Sequence, residues 1–238
     1  MAGKLATVIL AAGQGTRMKS DLPKVLHRVA GKAMLAHVVE TAVALQATPV
    51  IPVVGHGAEQ VRVALPDQDL HFVLQAEQLG TGHALLCAEQ ALNSFSGDLL
   101  LLCGDVPLLQ KKTLQALIDH HRQHAACVTI MTADMDNPAG YGRIIRGAEG
   151  VDRIVEEKDA TDSEREVREI NTGIYLFQAP QVFSLLRVVD NQNAQGEYYL
   201  TDVFSIAYEK GIQTSGVVAP VAADLEGAND RIQLAELE

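Results

Sequence analysis

Two glycines and two basic residues near the start of the chain have the types and spacing of an anion-binding loop. Gly13 and Gly15 follow an apolar run over residues 6–12, and glycine can take the positive φ angles that turn successive N–H groups toward one point. Arg17 and Lys24 add two positive charges near the same place. The pattern favours binding of a phosphate-rich anion, although a tight turn between a strand and a helix also accounts for the glycines.

The spacing of this loop matches neither of the two phosphate loops whose mechanics are best understood. It lacks the Gly-Lys-Ser or Gly-Lys-Thr ending of a P-loop, and Met18 stands where a dinucleotide-binding fingerprint needs its third glycine. This argues against a dinucleotide-dependent dehydrogenase. Residues 18–22 are expected to form a surface loop, with Pro23 stiffening the approach to Lys24.

A second polar segment, residues 75–82, comes directly before a predicted helix. It combines the carboxamides of Gln75 and Gln78 with Gly80, Thr81 and Gly82. A carboxamide carries both a donor and an acceptor, which suits the edge of a nucleobase. The alternative is a polar turn in which Thr81 caps the helix.

An acidic residue, Asp105, follows a short buried strand predicted over residues 98–102. It is either a helix cap or a metal ligand. Its position next to a predicted phosphate site favours Mg²⁺, which takes oxygen ligands, few of them carboxylates, with water and substrate phosphate completing the shell.

The apolar pattern predicts a scaffold that brings these segments together. Strands are expected at residues 6–12, 50–54, 71–75 and 98–102, and helices at residues 34–45, 58–65 and 84–92. Strands that alternate with helices form βαβ units and a parallel sheet. Right-handed crossovers place the loops that follow the strands along one edge, where ligands bind in open α/β sheets.

The second half of the chain has shorter strands joined by tight turns. Strands are expected at residues 128–132, 140–145, 153–158, 171–177 and 217–221, and helices at residues 201–207 and after residue 228. Residues 159–169 are expected to form a solvated loop or an exposed helix. Glu156 and Asn171 stand where they could bond sugar hydroxyl groups or, equally, cap a turn.

The composition excludes several classes of protein. Of 238 residues, 47% are hydrophobic and 21% are charged, which excludes a disordered or fibrous chain. The three cysteines have no C-x-x-C spacing, so neither a disulfide framework nor a zinc site is indicated. Without an apolar run of membrane-spanning length or a secretory leader pattern, the chain is expected to be cytoplasmic.

The net charge of −11 argues against binding to nucleic acid or to a membrane surface. The charge is unevenly distributed, because residues 1–32 contain six basic residues and one acidic residue. A positive region on an acidic body suits a compact, multiply charged anion.

The ordered set of motifs resembles the sugar-phosphate nucleotidylyltransferases, and more narrowly the uridylyltransferase domain of the bacterial bifunctional enzyme that makes UDP-N-acetylglucosamine. The motifs in chain order are Leu10-Ala11-Ala12-Gly13-x-Gly15-Thr16-Arg17-Met18, Pro23-Lys24, Gln75-x-x-Gln78-x-Gly80-Thr81-Gly82, Gly104-Asp105-Val106-Pro107, Gly140-Tyr141-Gly142-Arg143, Glu156, Asn171-Thr172-Gly173 and Asn229. The first motif is shared by many nucleotidylyltransferases. The whole set, from about Leu5 to Glu238, is specific to the narrower family.

The resemblance implies an α/β fold with a Rossmann-like, mostly parallel sheet flanked by helices. It also implies the reaction of UTP with N-acetylglucosamine 1-phosphate, giving UDP-N-acetylglucosamine and pyrophosphate, with Mg²⁺ as cofactor. The product would supply precursors of bacterial peptidoglycan and lipopolysaccharide. Because the sugar phosphate attacks the α-phosphorus in line, with no covalent enzyme intermediate, the protein's task is positioning and charge stabilisation.

The resemblance also assigns roles to single residues. Arg17 and Lys24 would be catalytic, neutralising charge on the phosphates and on the departing pyrophosphate. The residues along the uridine, its base and its phosphates would be Leu10, Ala11, Ala12, Gly13, Lys24, Gln75, Gly80 and Thr81, with Gln78 a possible neighbour. The substrate-binding residues would also include Cys103, Gly104, Asp105 and Asn229. The ligands of Mg²⁺ would be Asp105 and Asn229. The residues at the N-acetylglucosamine moiety would be Gly142, Glu156 and Asn171.

Two departures from the family pattern affect these assignments. Cys103 stands where tyrosine is expected, which removes a hydroxyl contact but leaves a backbone contact. The hexapeptide repeats of the family's acetyltransferase domain are absent from the sequence. Residues 1–230 are therefore expected to form the transferase domain and residues 231–238 the start of a linker helix. The full enzyme is expected to be a homotrimer, and this chain a monomer.

Two rival functions remain open. Another sugar-phosphate or alcohol-phosphate nucleotidylyltransferase of the same fold would share the first loop, but not residues 75–82 and 140–143 as they stand. A nucleotide-sugar-binding module without catalysis would keep the glycines. It would not need Lys24, Asp105 and Asn229 together.

Overall fold

A mixed, mostly parallel sheet of nine strands organises the part of the chain that the structure describes, residues 3–65 and 69–238 of a computed structural model. The strands are β1 (Leu5–Ala11), β2 (Arg28–Val29), β3 (Lys32–Ala33), β4 (Val50–Val54), β5 (Val73–Leu74), β6 (Gly97–Cys103), β7 (Val128–Asp134), β8 (Arg143–Gly147), β9 (Gly150–Val155), β10 (Glu169–Ala179) and β11 (Thr214–Val218). Strands β2 and β3 form a separate short hairpin.

Eight α-helices lie in the described ranges. They are α1 (Met34–Ala44), α2 (Ala58–Val63), α3 (Thr81–Cys87), α4 (Lys111–Gln123), α5 (Asp162–Arg165), α6 (Gln181–Leu186), α7 (Asp202–Glu209) and α8 (Arg231–Leu237). Short 3-10 helices cover residues 16–18, 24–26, 90–92 and 222–225. Within the same ranges, no helix combines the length and the hydropathy needed to cross a bilayer.

The main path of the sheet has the strand order β11-β7-β10-β6-β1-β4-β5. Strands β6, β1, β4 and β5 are parallel neighbours, and β7 is parallel to β11. Strand β10 runs antiparallel between β6 and β7 and joins the two groups. The predicted fold class, an α/β sheet that is mostly parallel, is confirmed.

The core lies on both faces of the sheet, and β1 shows how the sequence specifies this. Successive side chains of a strand point to opposite faces. Accordingly, Ala6 and Val8 belong to one hydrophobic cluster, and Leu5 and Ile9 belong to the other. A strand covered on both sides needs a continuous apolar run, which is why the run over residues 6–12 predicted this strand correctly.

Several elements differ from the sequence prediction. Strand β5 covers only Val73–Leu74, although residues 71–75 were expected, and helices α4 and α6 and the β2–β3 hairpin were not predicted. The charged segment 159–169 contains the short exposed helix α5, where Thr161 and Glu164 form a capping box. Strand β10 begins at Glu169, earlier than expected, because it extends to pair with Asp134 at the end of β7.

Candidate active site

Two adjoining cavities open at the edge of the sheet where β1 and β6 end. The first has a volume of about 540 Å³ and is lined by the loop after β1 and by residues of the segment 75–81. The second has a volume of about 280 Å³ and is lined by the turn at residues 140–142 and by residues near the start of β10. Cys103 and Asp105 belong to both linings, so the cavities meet at the end of β6.

The loop after β1 takes a sharp turn that only one of its two glycines requires. Gly15 has φ 61°, and a Cβ added there would lie 2.6 Å from the Cβ of Lys24. Gly15 thus lets Lys24 pack directly against the loop. Gly13 does not have a positive φ, and a Cβ there would meet nothing within 4 Å. The expectation of positive φ is met at Gly15 alone.

The expected surface loop at residues 18–22 is wrong for its first member. Met18 is fully buried as the last residue of the 3-10 helix, while residues 19–22 are exposed. The buried methionine anchors the loop to the body of the protein. The four residues Leu10 to Gly13 line the first cavity.

Four side chains from three distant segments meet where the cavities join. The Lys24 ammonium donates to the Asp105 carboxylate, and its Nζ lies 3.0 Å from Asn229 Oδ1. Arg17 Nη2 donates to the same oxygen at 3.0 Å. The oxygens of Asp105 and Asn229 therefore converge on one cationic group.

Asn229 does not cap the last helix. The cap of α8 is Asp230, whose carboxylate accepts from two backbone N–H groups of the first turn at 2.9 Å each. The Asn229 side chain remains directed at Lys24 and Arg17.

The segment 75–82 is fixed by hydrogen bonds that hold its carboxamides at the first cavity. Gln75, which is buried, donates from Nε2 to the carbonyl of Gly80 at 3.1 Å and contacts His83 Nδ1 at 3.1 Å. Gln78 Nε2 donates to the carbonyl of Gln75 at 3.0 Å. Thr81 does not cap α3, because its hydroxyl accepts from the backbone of Leu200 at 3.1 Å.

Backbone pairing with Tyr198 supports this segment from behind. Tyr198 N donates to the carbonyl of Leu79 at 2.8 Å, and Gly82 N donates to the carbonyl of Tyr198 at 2.8 Å. Gly80 has φ 112°, and a Cβ there would lie 2.6 Å from the Tyr198 carbonyl oxygen. Sequence reasoning missed Tyr198, because its role depends on a contact between segments more than 100 residues apart. It also missed His83, although its partner Gln75 lies only 8 positions away.

The second cavity presents an acid and an amide that hold each other in place. Burial raises the pKa of Glu156, and hydrogen bonds from Thr201 and Asn171 oppose that rise. Asn171 Oδ1 accepts from the Tyr175 hydroxyl at 2.8 Å and from Gly173 N at 2.8 Å, which leaves its NH₂ group as a donor. A carboxylate acceptor beside an amide donor suits a ligand with several hydroxyl groups.

Gly142 keeps this arrangement close together. Its carbonyl accepts from Asn171 N at 2.8 Å, and an added Cβ would lie 3.3 Å from Glu156 Oε2. The neighbouring Arg143 is buried and pairs with Glu157 at 2.8 Å. Glu157 in turn accepts from Gly140 N at 3.1 Å, so the ion pair fixes the turn that lines the cavity.

Cys103, at the junction, acts as a neutral donor. Burial raises the pKa of its thiol to about 12, and the nearby Asp105 carboxylate adds to the rise. The thiol donates to the Gly173 carbonyl at 3.4 Å and so ties the end of β6 to β10.

Comparison with known proteins defines the class to which this site belongs. The family model of the MobA-like NTP transferase domain matches residues 7–168. The chain belongs to this family of nucleotidyltransferases.

Relatives in two bacteria extend the match over nearly the whole chain. The bifunctional protein GlmU of Syntrophotalea carbinolica is 55% identical over 233 residues, which are 98% of this chain and 50% of that protein. The bifunctional protein GlmU of Streptococcus suis is 51% identical over 232 residues, which are 97% of this chain and 50% of that protein. The chain thus spans about half the length of the curated relatives it matches.

Two solved structures share the fold. One, described as a glucose-1-phosphate thymidylyltransferase from Bacillus anthracis, has a TM-score of 0.76 at 18% identity, covering 98% of this chain and 93% of its own. A UDP-glucose pyrophosphorylase has a TM-score of 0.72 at 17% identity, covering 94% of this chain and 96% of its own. Both support the nucleotide-diphospho-sugar transferase type of fold.

Proposed function

We propose that the chain transfers a uridylyl group from UTP to N-acetylglucosamine 1-phosphate, releasing pyrophosphate and forming UDP-N-acetylglucosamine, in the cytoplasmic synthesis of cell-envelope precursors. The observation that carries the proposal is the meeting of Arg17, Lys24, Asp105 and Asn229 at the junction of two cavities. One cavity has the carboxamides and glycines suited to a nucleotide, and the other has the acid and amide suited to a sugar. The relatives named GlmU support this choice of substrates.

The reaction makes one phosphorus–oxygen bond and breaks another. A phosphate oxygen of the sugar phosphate in the second cavity attacks the α-phosphorus of UTP in the first cavity. The bond from the α-phosphorus to the bridging oxygen breaks, and pyrophosphate leaves with that electron pair. Arg17 and Lys24 stabilise the charge that grows on the pyrophosphate, while the backbone of residues 10–13 positions the nucleotide.

A Mg²⁺ ion fits the donor set at the junction. Asp105 supplies one carboxylate and Asn229 one amide oxygen, and both converge on a single cation, the Lys24 ammonium. In residues 3–65 and 69–238, no group of three or more His, Cys, Asp or Glu side chains is placed so that it could hold a metal ion. A site with one carboxylate matches the way Mg²⁺ binds with water and substrate phosphate. When bound, the ion would neutralise phosphate charge.

A pyrophosphate-release assay tests the proposal directly. Each of UTP, CTP, GTP and ATP is supplied with N-acetylglucosamine 1-phosphate and Mg²⁺, and the nucleotide sugar is identified by mass spectrometry. Release should require UTP, and glucosamine 1-phosphate should be a poorer acceptor. Release with a different nucleotide would assign the chain to another transferase. Tight UTP binding without release would indicate a binding module and overturn the proposal.

A further inference from the structure

The last helix contacts the anion-binding loop through one arginine. Arg231 is the first residue of α8, and the Asp230 cap fixes the start of that helix. Arg231 Nε donates to the carbonyl oxygen of Met18 at 2.9 Å, and Arg231 Nη2 donates to that of Lys19 at 3.1 Å. One guanidinium thus holds two consecutive carbonyls that lie 213 and 212 positions away in the sequence.

These two carbonyls lie at the end of the anion-binding loop, after its short 3-10 helix. The 3-10 helix at residues 16–18 is followed by Lys19, which has φ 48°, a conformation that non-glycine residues rarely adopt. Carbonyl groups at the end of a helix lack partners within the helix. The fork of Arg231 bonds both carbonyls, with Lys19 in this conformation.

Arg17 lies within the segment that Arg231 holds. On one side of it, Gly15 turns the chain with φ 61°. On the other side, the Met18 and Lys19 carbonyls are bonded to Arg231. The Arg17 guanidinium reaches Asn229 Oδ1 at 3.0 Å, two residues before Arg231. The short segment 229–231 therefore contacts both the Arg17 side chain and the backbone that follows it.

We propose that Arg231 is a positioning residue that sets the place of Arg17 at the departing pyrophosphate, an inference that rests on the proposed function. A charge-stabilising group is effective only when it is held in place before the reaction, and a displacement of about 1 Å can cost on the order of 10² in rate. The planar fork of arginine bonds two carbonyls at once, which the single ammonium of lysine does not.

The test uses Arg231→Met, which keeps most of the apolar stem and removes both donors. We expect kcat to fall about 10-fold to 100-fold, with the KM for N-acetylglucosamine 1-phosphate unchanged. The kcat of Arg231→Lys should lie between those of the wild type and Arg231→Met. Arg122→Met is the matched control. Arg122 also bonds a backbone carbonyl, that of Gly3, and it lies beside Asp98 near the start of β6, at the opposite edge of the sheet from the cavities. Its variant should keep wild-type kcat.

A double-mutant cycle separates positioning from a general loss of structure. If Arg231 acts through Arg17, Arg231→Met should cost little further activity once Arg17→Ala is in place. The proposal would be overturned if Arg231→Met lowered kcat by the same factor with and without Arg17→Ala. A wild-type kcat in Arg231→Met would also overturn it. Normal activity in Arg17→Ala would also overturn it. If Arg231→Met does not fold, as judged by circular dichroism, the same cycle is run with Arg231→Lys.

Failure of the proposed function appears in a different measurement. A wild-type chain that releases no pyrophosphate from UTP with any sugar phosphate overturns the reaction and the positioning role together. A wild-type chain that is active, with an additive cycle, overturns only the role of Arg231.

Discussion

The two cavities are built from different kinds of chain. The first is formed by segments that directly follow parallel strands, so each short motif lies beside the strand that positions it. The second is formed around the antiparallel strand β10 and the turn at residues 140–142, with Glu156 after β9. Its polar groups are held mainly by one another. The first cavity offers the Lys24 ammonium and the carboxamides of Gln75 and Gln78, whereas the second offers an acid and an amide.

The difference indicates a division of labour. Positive charge at the end of β1 suits the polyphosphate and the charge that develops on it. Neutral and acidic groups beside β10 suit a ligand rich in hydroxyl groups. Substitutions in the first cavity should therefore change the rate of the chemical step, and substitutions in the second should change acceptor binding or stability.

The largest effect is expected from Arg17→Ala and Lys24→Ala. In the proposed reaction each variant removes a preorganised charge at the leaving group, which typically costs on the order of 10² to 10³ in rate. Steady-state kinetics should show this loss in kcat, with circular dichroism unchanged. Lys32→Ala is the control, because Lys32 pairs with Glu40 on the surface. A wild-type kcat in either variant would show that the residue has no catalytic role.

The junction should respond through its metal dependence. Asp105→Asn removes the carboxylate and is expected to lower turnover by about 10²-fold. Asn229→Ala removes a neutral oxygen and should cost about 10-fold, partly recovered at higher Mg²⁺ because water can replace the amide. Mg²⁺ titrations of the two single variants and the double variant should give non-additive losses. Additive losses with an unchanged Mg²⁺ requirement would mean that the two residues share no ion.

In the second cavity, Glu156→Gln should affect the acceptor. Loss of a charge-assisted hydrogen bond to a sugar hydroxyl should raise the KM for N-acetylglucosamine 1-phosphate about 10-fold, with little change in the KM for UTP. The same variant should gain stability at neutral pH, since burial raises the pKa of Glu156 and its charged form is therefore penalised in the fold. A change in the KM for UTP alone would contradict the proposal that the second cavity binds the acceptor.

The smallest effect concerns stability beside the second cavity. Burial raises the pKa of Asp202 from 3.8 to about 6, and the charges of Asp190 and Asp159 add to this. The folded state thus binds the proton more tightly, and stability falls as pH rises from about 4 to about 6. Asp202→Asn should therefore stabilise the chain by about 1 to 2 kcal/mol at pH 7.5, since one pKa unit is worth about 1.4 kcal/mol. At pH 3.5 it should gain nothing.

Urea unfolding at the two pH values measures this difference. Asp162→Asn is the control, because Asp162 also begins a short helix but its side chain is fully exposed. A gain for Asp202→Asn that is the same at both pH values would show that the cause is not the carboxylate charge.

The contrast between the cavities also explains what the sequence could predict. The apolar run of β1 and the glycine and basic residues after it are contiguous, so the first cavity could be placed from local pattern alone. The burial of Met18 could not, because it depends on packing from elsewhere in the fold. The pairing of Tyr198 with residues 79–82 likewise depends on a contact between distant segments. The cap role of Asp230 could not be predicted because the adjacent Asn229 is also a suitable cap residue.

The second half was harder to predict because its strands are set by non-local pairing. Strands were expected at residues 140–145 and 153–158, and the structure has β8 and β9 there as an antiparallel pair. Strand β10 was expected to be shorter, and nothing in its sequence shows that it runs antiparallel between β6 and β7. Helix α4 was missed although Leu114, Leu117 and Ile118 form a buried stripe at helical spacing.

Because β10 lies between β6 and β7, the sheet can be completed only after β10 has been synthesised. Strand β6 pairs with β1 on one side and with β10 on the other, and it contains four consecutive buried leucines, Leu99 to Leu102. Until residue 179 has emerged from the ribosome, that second side is an open apolar edge, the kind of surface on which strands from other chains add. A chain cut after residue 168, where the family match ends, would keep this edge permanently. Such a fragment should aggregate even though it contains the whole anion-binding loop.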